Sequence, residues 1–260
     1  MRPSPATVAS TAVASAVGAI ALRHERRARI TADRLAAAAL ETLLNAIDAN
    51  DLDTGEHVRR VAIHSLILAD AAGLPEQTKR TIERVALFHD IGKIHEALID
   101  IVHDDESLTP ADRRAIATHP ERGATVLEPL RSFYPDLPAG VVAHHERWDG
   151  TGYPHRLRGD QIPIAARVVA ICDTFDAVTH SRRYRDGRSV EVGREVILEG
   201  RETQFDPAFV DLFVFPPVFK RILAAERATH QEARPHDSRH PGRREKNVPD
   251  VTFRWRPPQI

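Results

Sequence analysis

Between Thr31 and about Ala225, apolar residues recur every third or fourth position, and no window shows the sustained alternation a strand needs. That periodicity confines the chain to an all-α fold. Leu35, Ala39, Leu43 and Ile47 mark the stripe of a first helix, and His57, Val61, His64 or Ser65 and Leu68 that of a second, ending at the turn Gly73-Leu74-Pro75. A third carries Ile82, Val85 or Ala86, and then His89. Thr109-Pro110 reads as an N-cap followed by proline at the first helical position, supported by Asp112. Pro138 opens a helix expected to hold Val141, Val142, His144 and His145. A Gly- and Pro-rich loop from Trp148 to Pro163 follows. Ile164 to Thr179 is apolar nearly all round, the mark of a central buried helix.

The ends differ from this body. Ala6 to Leu22 carries no charge and precedes the basic run Arg23-His24-Glu25-Arg26-Arg27-Ala28-Arg29. It is rich in Ala, Ser and Thr and short of the roughly 20 apolar residues a membrane span needs. Residues 1–30 are therefore expected as a low-complexity leader, disordered or loosely helical, with a weak membrane anchor as the alternative. From Glu226 to the end the chain is polar, Arg-rich and broken by prolines, so 226–260 is expected as a disordered tail. The folded domain is then expected over 31–225. A formal net charge of -1 argues against a partner that is a nucleic-acid polymer. The single cysteine, Cys172, excludes an internal disulfide and a thiolate-rich metal site, and suits a reducing cytoplasm.

Histidine is the outlier, with 14 in the chain. His57, His89-Asp90, His119, His144-His145 and Asp173 fall within or beside apolar helical runs such as VALFHDIG and VVAICDTFDAV. A buried charge or unsatisfied imidazole is costly in such a place. Neutral imidazole and carboxylate oxygen are ligands that first-row divalent metals accept, and shared ions satisfy several such groups at once. His24, His64, His95, His103, His155, His180, His230, His236 and His240 stand alone and read as ordinary core or surface residues.

The segments DLDTGEHVRRV, HDIGKI, THPERG, HHERWDGTGYP, IP..AR and CDTFDAVTHSRRYR, spread over roughly Asn45 to Phe213, resemble HD-GYP domains. The resemblance implies an HD-domain helical bundle extended by the GYP-type loop and C-terminal helices. It implies a cyclic di-GMP phosphodiesterase yielding pGpG and GMP. His57, His89, Asp90 and Asp173 would hold one metal, His119, His144 and His145 a second, and Asp90 would bridge them, with iron or manganese expected. A water between the metals would be the nucleophile, and Lys93 would stabilise charge at the scissile phosphate. Asp53 matches a position where some members hold a third metal, although a capping aspartate explains it as well. Arg182 and Arg185 would grip the dinucleotide, and Gly150, Gly152, Tyr153 and Pro154 form the loop that lines the site or meets a partner such as a diguanylate cyclase of the GGDEF type. The stretch HEALIDIVHDDESLT departs from the family pattern, being longer, acidic and without its proline elements. That leaves open another substrate, such as 3′,3′-cyclic GMP-AMP, and a non-catalytic sensor.

Overall fold

The computed structural model describes residues 5–50, 52–94, 109–180 and 187–232. Helix α1 spans Pro5–Asn50, α2 Leu52–Ala71 and α3 Glu76–Phe88, followed by a 3₁₀ turn at Ile91–Ile94. Next come α4 (Pro110–Ile116), α5 (His119–Leu127), α6 (Leu137–Val142) and α7 (Ile164–Thr179). The series ends with α8 (Val190–Glu199), α9 (Pro207–Val214) and α10 (Pro216–Glu232). Among the described residues there is no strand beyond an isolated bridge between Arg201 and Phe205, so the fold is all-α.

The chain divides into two compact units at Leu43 and Leu44. In the second, α7 is the axis, as its sequence requires. Val168, Val169, Ile171, Cys172 and Phe175 are buried, and the helix packs against α2, α3 and α8. Helix α2 in turn contacts α3 and α10. Local signals act where expected. The Thr109 backbone N–H and hydroxyl both donate to Asp112, whose own amide returns a bond to Thr109 Oγ1 at 3.2 Å, a reciprocal cap on α4. Gly73 takes a φ of 64°, where its amide closes the end of α2 on Asp70.

Several details differ from the sequence reading. Leu35 is 66% exposed, and the buried positions of α1 are Ala36, Ala37, Leu40, Leu44 and Ile47. A strict four-residue repeat drifts about 40° per step around a helix of 3.6 residues per turn. Steps of three and four from Ala37 hold one face. No break separates residues 5–30 from the rest of α1, which runs helical from Pro5. No helix among the described residues is long and apolar enough to cross a membrane. Helix α6 stops at Val142, so His144 and His145 lie in the turn beyond it. At the other end α10 continues through Glu226, which is buried, so the boundary expected at residue 226 falls inside a packed helix. Residues 233–260 of the expected tail lie outside the described residues.

Candidate metal centre

Helix periodicity places His57 on the buried side of α2, and α3 ends against the His89-Asp90 pair. His119 opens α5, and His144 and His145 follow α6. The fold brings these segments together in two triads of close donor atoms, His57-His89-Asp90 and His119-His144-His145. Asp173, on α7, approaches the first, with Oδ1 at 3.3 Å from His57 Nε2 and 3.7 Å from His89 Nε2. Asp90, itself in the first triad, also faces the second. Its Oδ1 is 3.3 Å from His119 Nε2 and 3.9 Å from His144 Nε2, and its Oδ2 is 3.5 Å from His89 Nε2.

The rings are aimed by their other nitrogen. His89 Nδ1 bonds the carbonyl of Ala86 at 2.7 Å, His119 Nδ1 that of Ile116 at 2.7 Å and His144 Nδ1 that of Val141 at 2.6 Å. A carbonyl only accepts, so each Nδ1 carries the hydrogen and each Nε2 faces inward with its lone pair. His57 Nδ1 is held at 2.6 Å by the carboxylate of Asp176 instead. Buried atoms His57 Nε2, His89 Nε2 and Asp90 Oδ1 make no hydrogen bond. Leaving such atoms unsatisfied is costly, and inward lone pairs beside carboxylates form a donor set that fits divalent cations.

Electrostatics sharpen this. Burial alone favours the neutral form of Asp90, but Lys93 and the imidazoles of His89 and His119 outweigh it and hold the carboxyl well below its usual range. Burial likewise opposes the charge on Asp173, and the imidazoles of His57 and His89 overcome it. Burial, reinforced by neighbouring imidazoles, keeps His144 neutral, and it pulls His145 down to about 4. Lys93 Nζ sits 2.6 Å from Asp90 Oδ2, beside the triads and outside them.

The loop after His145 is built into the same corner. Tyr153 stacks on His145 with ring centroids 4.9 Å apart. Gly152 is buried so close to the backbone of Glu146 and Arg147 that a Cβ would collide with it, while Gly150 takes a φ of 80°. Glu146, buried, accepts from the amides of His155 at 2.7 Å and Leu157 at 3.0 Å, bracing the loop from inside. The sequence reading passed over Glu146 and Asp176. Both sit in motifs it had quoted, as the third residue of HHE and the second aspartate of CDTFDAV. The side chain of Asp53 and the residues Arg182 and Arg185 lie outside the described residues.

A family model described as HD domain matches residues 41–209. The chain belongs to the HD-domain family. Its motifs are of the HD-GYP type. This HD-domain chain is 37% identical over 174 residues to the 3'3'-cGAMP-specific phosphodiesterase 2 of Vibrio cholerae, covering 66% of the chain and 33% of that protein. It is 32% identical over 208 residues to a cyclic di-GMP phosphodiesterase of Thermotoga maritima, covering 76% of the chain and 55% of that protein. Among solved structures, the cyclic GMP-AMP specific phosphodiesterase V-cGAP3 of V. cholerae shares the fold at a TM-score of 0.56 and 20% identity, with 74% of this chain and 52% of that one covered. The chain thus spans from a third to just over half the length of these relatives.

Proposed function

We propose that the chain is a cytoplasmic, metal-dependent phosphodiesterase that opens cyclic di-GMP to pGpG and GMP. The observation that supports this best is the convergence of two donor triads on Asp90, with imidazole Nε2 atoms turned inward, in an HD-domain chain. His57, His89, Asp90 and Asp173 would hold one ion and His119, His144 and His145 another, with Asp90 between them. Iron or manganese suits such a donor set. Two divalent ions held there would supply a nucleophilic water at neutral pH and neutralise the phosphate. Lys93, paired with Asp90 and not itself a donor in either triad, meets charge developing on the phosphoryl oxygens. Tyr153 and His145 give the substrate a stacked wall, and Arg182 and Arg185 bind its phosphates or guanine edges through their guanidinium forks. A diguanylate cyclase docking on the Gly150–Pro154 loop belongs to the same reading, as does a third ion at Asp53.

A second reading, in which 3′,3′-cyclic GMP-AMP is the substrate, is favoured by the similarity to the V. cholerae enzyme of that name and by the altered stretch after Lys93-Ile94. Anaerobic purification, metal analysis and chromatography of each cyclic dinucleotide with the protein separate these readings. Turnover of cyclic di-GMP by protein carrying at least two ions per chain is expected. Faster turnover of the mixed dinucleotide moves the assignment to the second reading. Tight binding without turnover under iron, manganese or nickel makes the chain a sensor.

A further inference from the structure

Behind His57, on the side away from the triads, lies a second set of buried polar groups that the proposed reaction does not use. Asp176 stands one helical turn after Asp173 on α7, so helix geometry places carboxylates on both sides of a single imidazole. Asp173 Oδ1 is 3.3 Å from His57 Nε2, and Asp176 Oδ2 is 2.6 Å from His57 Nδ1. Asp176 is 1% exposed. Its carboxylate is gripped by Arg60 through Nε at 2.6 Å and Nη2 at 3.0 Å, and His180 Nδ1 lies 3.2 Å from Oδ1. His180 Nε2 is in turn 3.0 Å from Glu226 Oε2, and Glu226 Oε1 is 3.0 Å from His64 Nε2. The chain of contacts therefore runs from His57 through α7 to α10.

His64, Asp176 and Glu226 are close enough together to hold an ion of their own. The Arg60 guanidinium already lies on Asp176, however, and a cation beside it is repelled, so the set fits a network of charge pairs better. Its effect falls on His57, whose Nδ1 is held by an ionised group where His89, His119 and His144 use main-chain carbonyls. A carboxylate accepting from Nδ1–H fixes the tautomer and raises the basicity of Nε2 toward a metal.

We propose that Asp176 is a positioning residue for the metal centre, held by Arg60 and by the His180–Glu226 pair, and that it sets the affinity of the ion at His57. The proposal rests on the metal-binding reading above. The test uses the full chain with manganese as the probe ion, read by stoichiometry and by competition with a chelator, alongside melting of the metal-free protein. Asp176→Asn is expected to weaken one ion by about 10- to 100-fold, while the ion at His119, His144 and His145 keeps its affinity. Glu226→Gln leaves Asp176 and Arg60 in place and is expected to weaken the same ion to a smaller degree; it decides the matter alone if Asp176→Asn does not fold. Unchanged affinity, or equal weakening of both ions, overturns the role of Asp176 and leaves the metal reading intact. Wild-type protein that binds no manganese, iron or nickel overturns both.

Discussion

The two halves of the candidate centre use the same ligand type and prepare it in opposite ways. In the half around His57, burial works against a charged ring, yet Asp176 and Asp173 outweigh it and push the imidazole up to about 9. In the half around His119, burial has imidazoles for company: His144 is driven down and His145 reaches about 4. Without a metal, the first half thus favours a charged His57 between two carboxylates, and the second favours neutral rings. Burial pushes each ring the same way and the outcomes are opposite, and the neighbouring carboxylates make the difference.

Asp90→Asn tests what the halves share and carries the largest expected effect, loss of both ions and of turnover. Elemental analysis finding one ion retained would show that the halves load independently. His145→Ala strikes only the all-imidazole half, and stoichiometry is expected to fall from two ions to one. Loss of both would make the His57 half dependent on its neighbour. Lys93→Met removes no donor atom of either triad but breaks the ion pair with Asp90; metal content is expected to stay while turnover falls by about 10²–10³. A parallel loss of metal would mean that Lys93 mainly steadies Asp90.

The smallest effect is a pH dependence of the metal-free protein. His57, raised in the folded state, contributes stability that is full below 6.5 and lost as pH rises through about 9. His145, lowered, contributes stability that is present above 6.5 and lost as pH falls through about 4. The melting temperature should therefore decline on both sides of pH 6.5, by roughly a few degrees. His57→Gln should flatten the alkaline side alone. A profile with both limbs unchanged in that variant removes His57 as the source.

Much of this was legible because helices write their burial into local sequence. The limits of α7, the cap at Thr109 and the buried face of α2 follow from spacing and capping chemistry. The donor residues were legible because His and Asp are costly in apolar runs unless partnered. What stayed hidden was partnership across the chain. Asp176 is 119 positions from His57, and nothing local tells a carboxylate that aims an imidazole from one that caps a helix. Glu226 sits where the composition turns polar, and only the fold shows it beside His64 and His180. His144 and His145 follow a helix that ends sooner than its spacing suggests, since Val141 and Val142 do not mark where α6 stops.

Gly92 belongs to the turn that follows the His89-Asp90 pair, and its Cα rests so tightly on the carbonyl of His119 that any side chain there would overlap it. The segment that bears His89 and Asp90 thus meets the start of the helix that bears His119, main chain to main chain. The spacing of these two segments is a gauge cut in backbone, which no rotamer can adjust. Ligands can be exchanged around that gauge, but its span changes only if the two segments are prised apart.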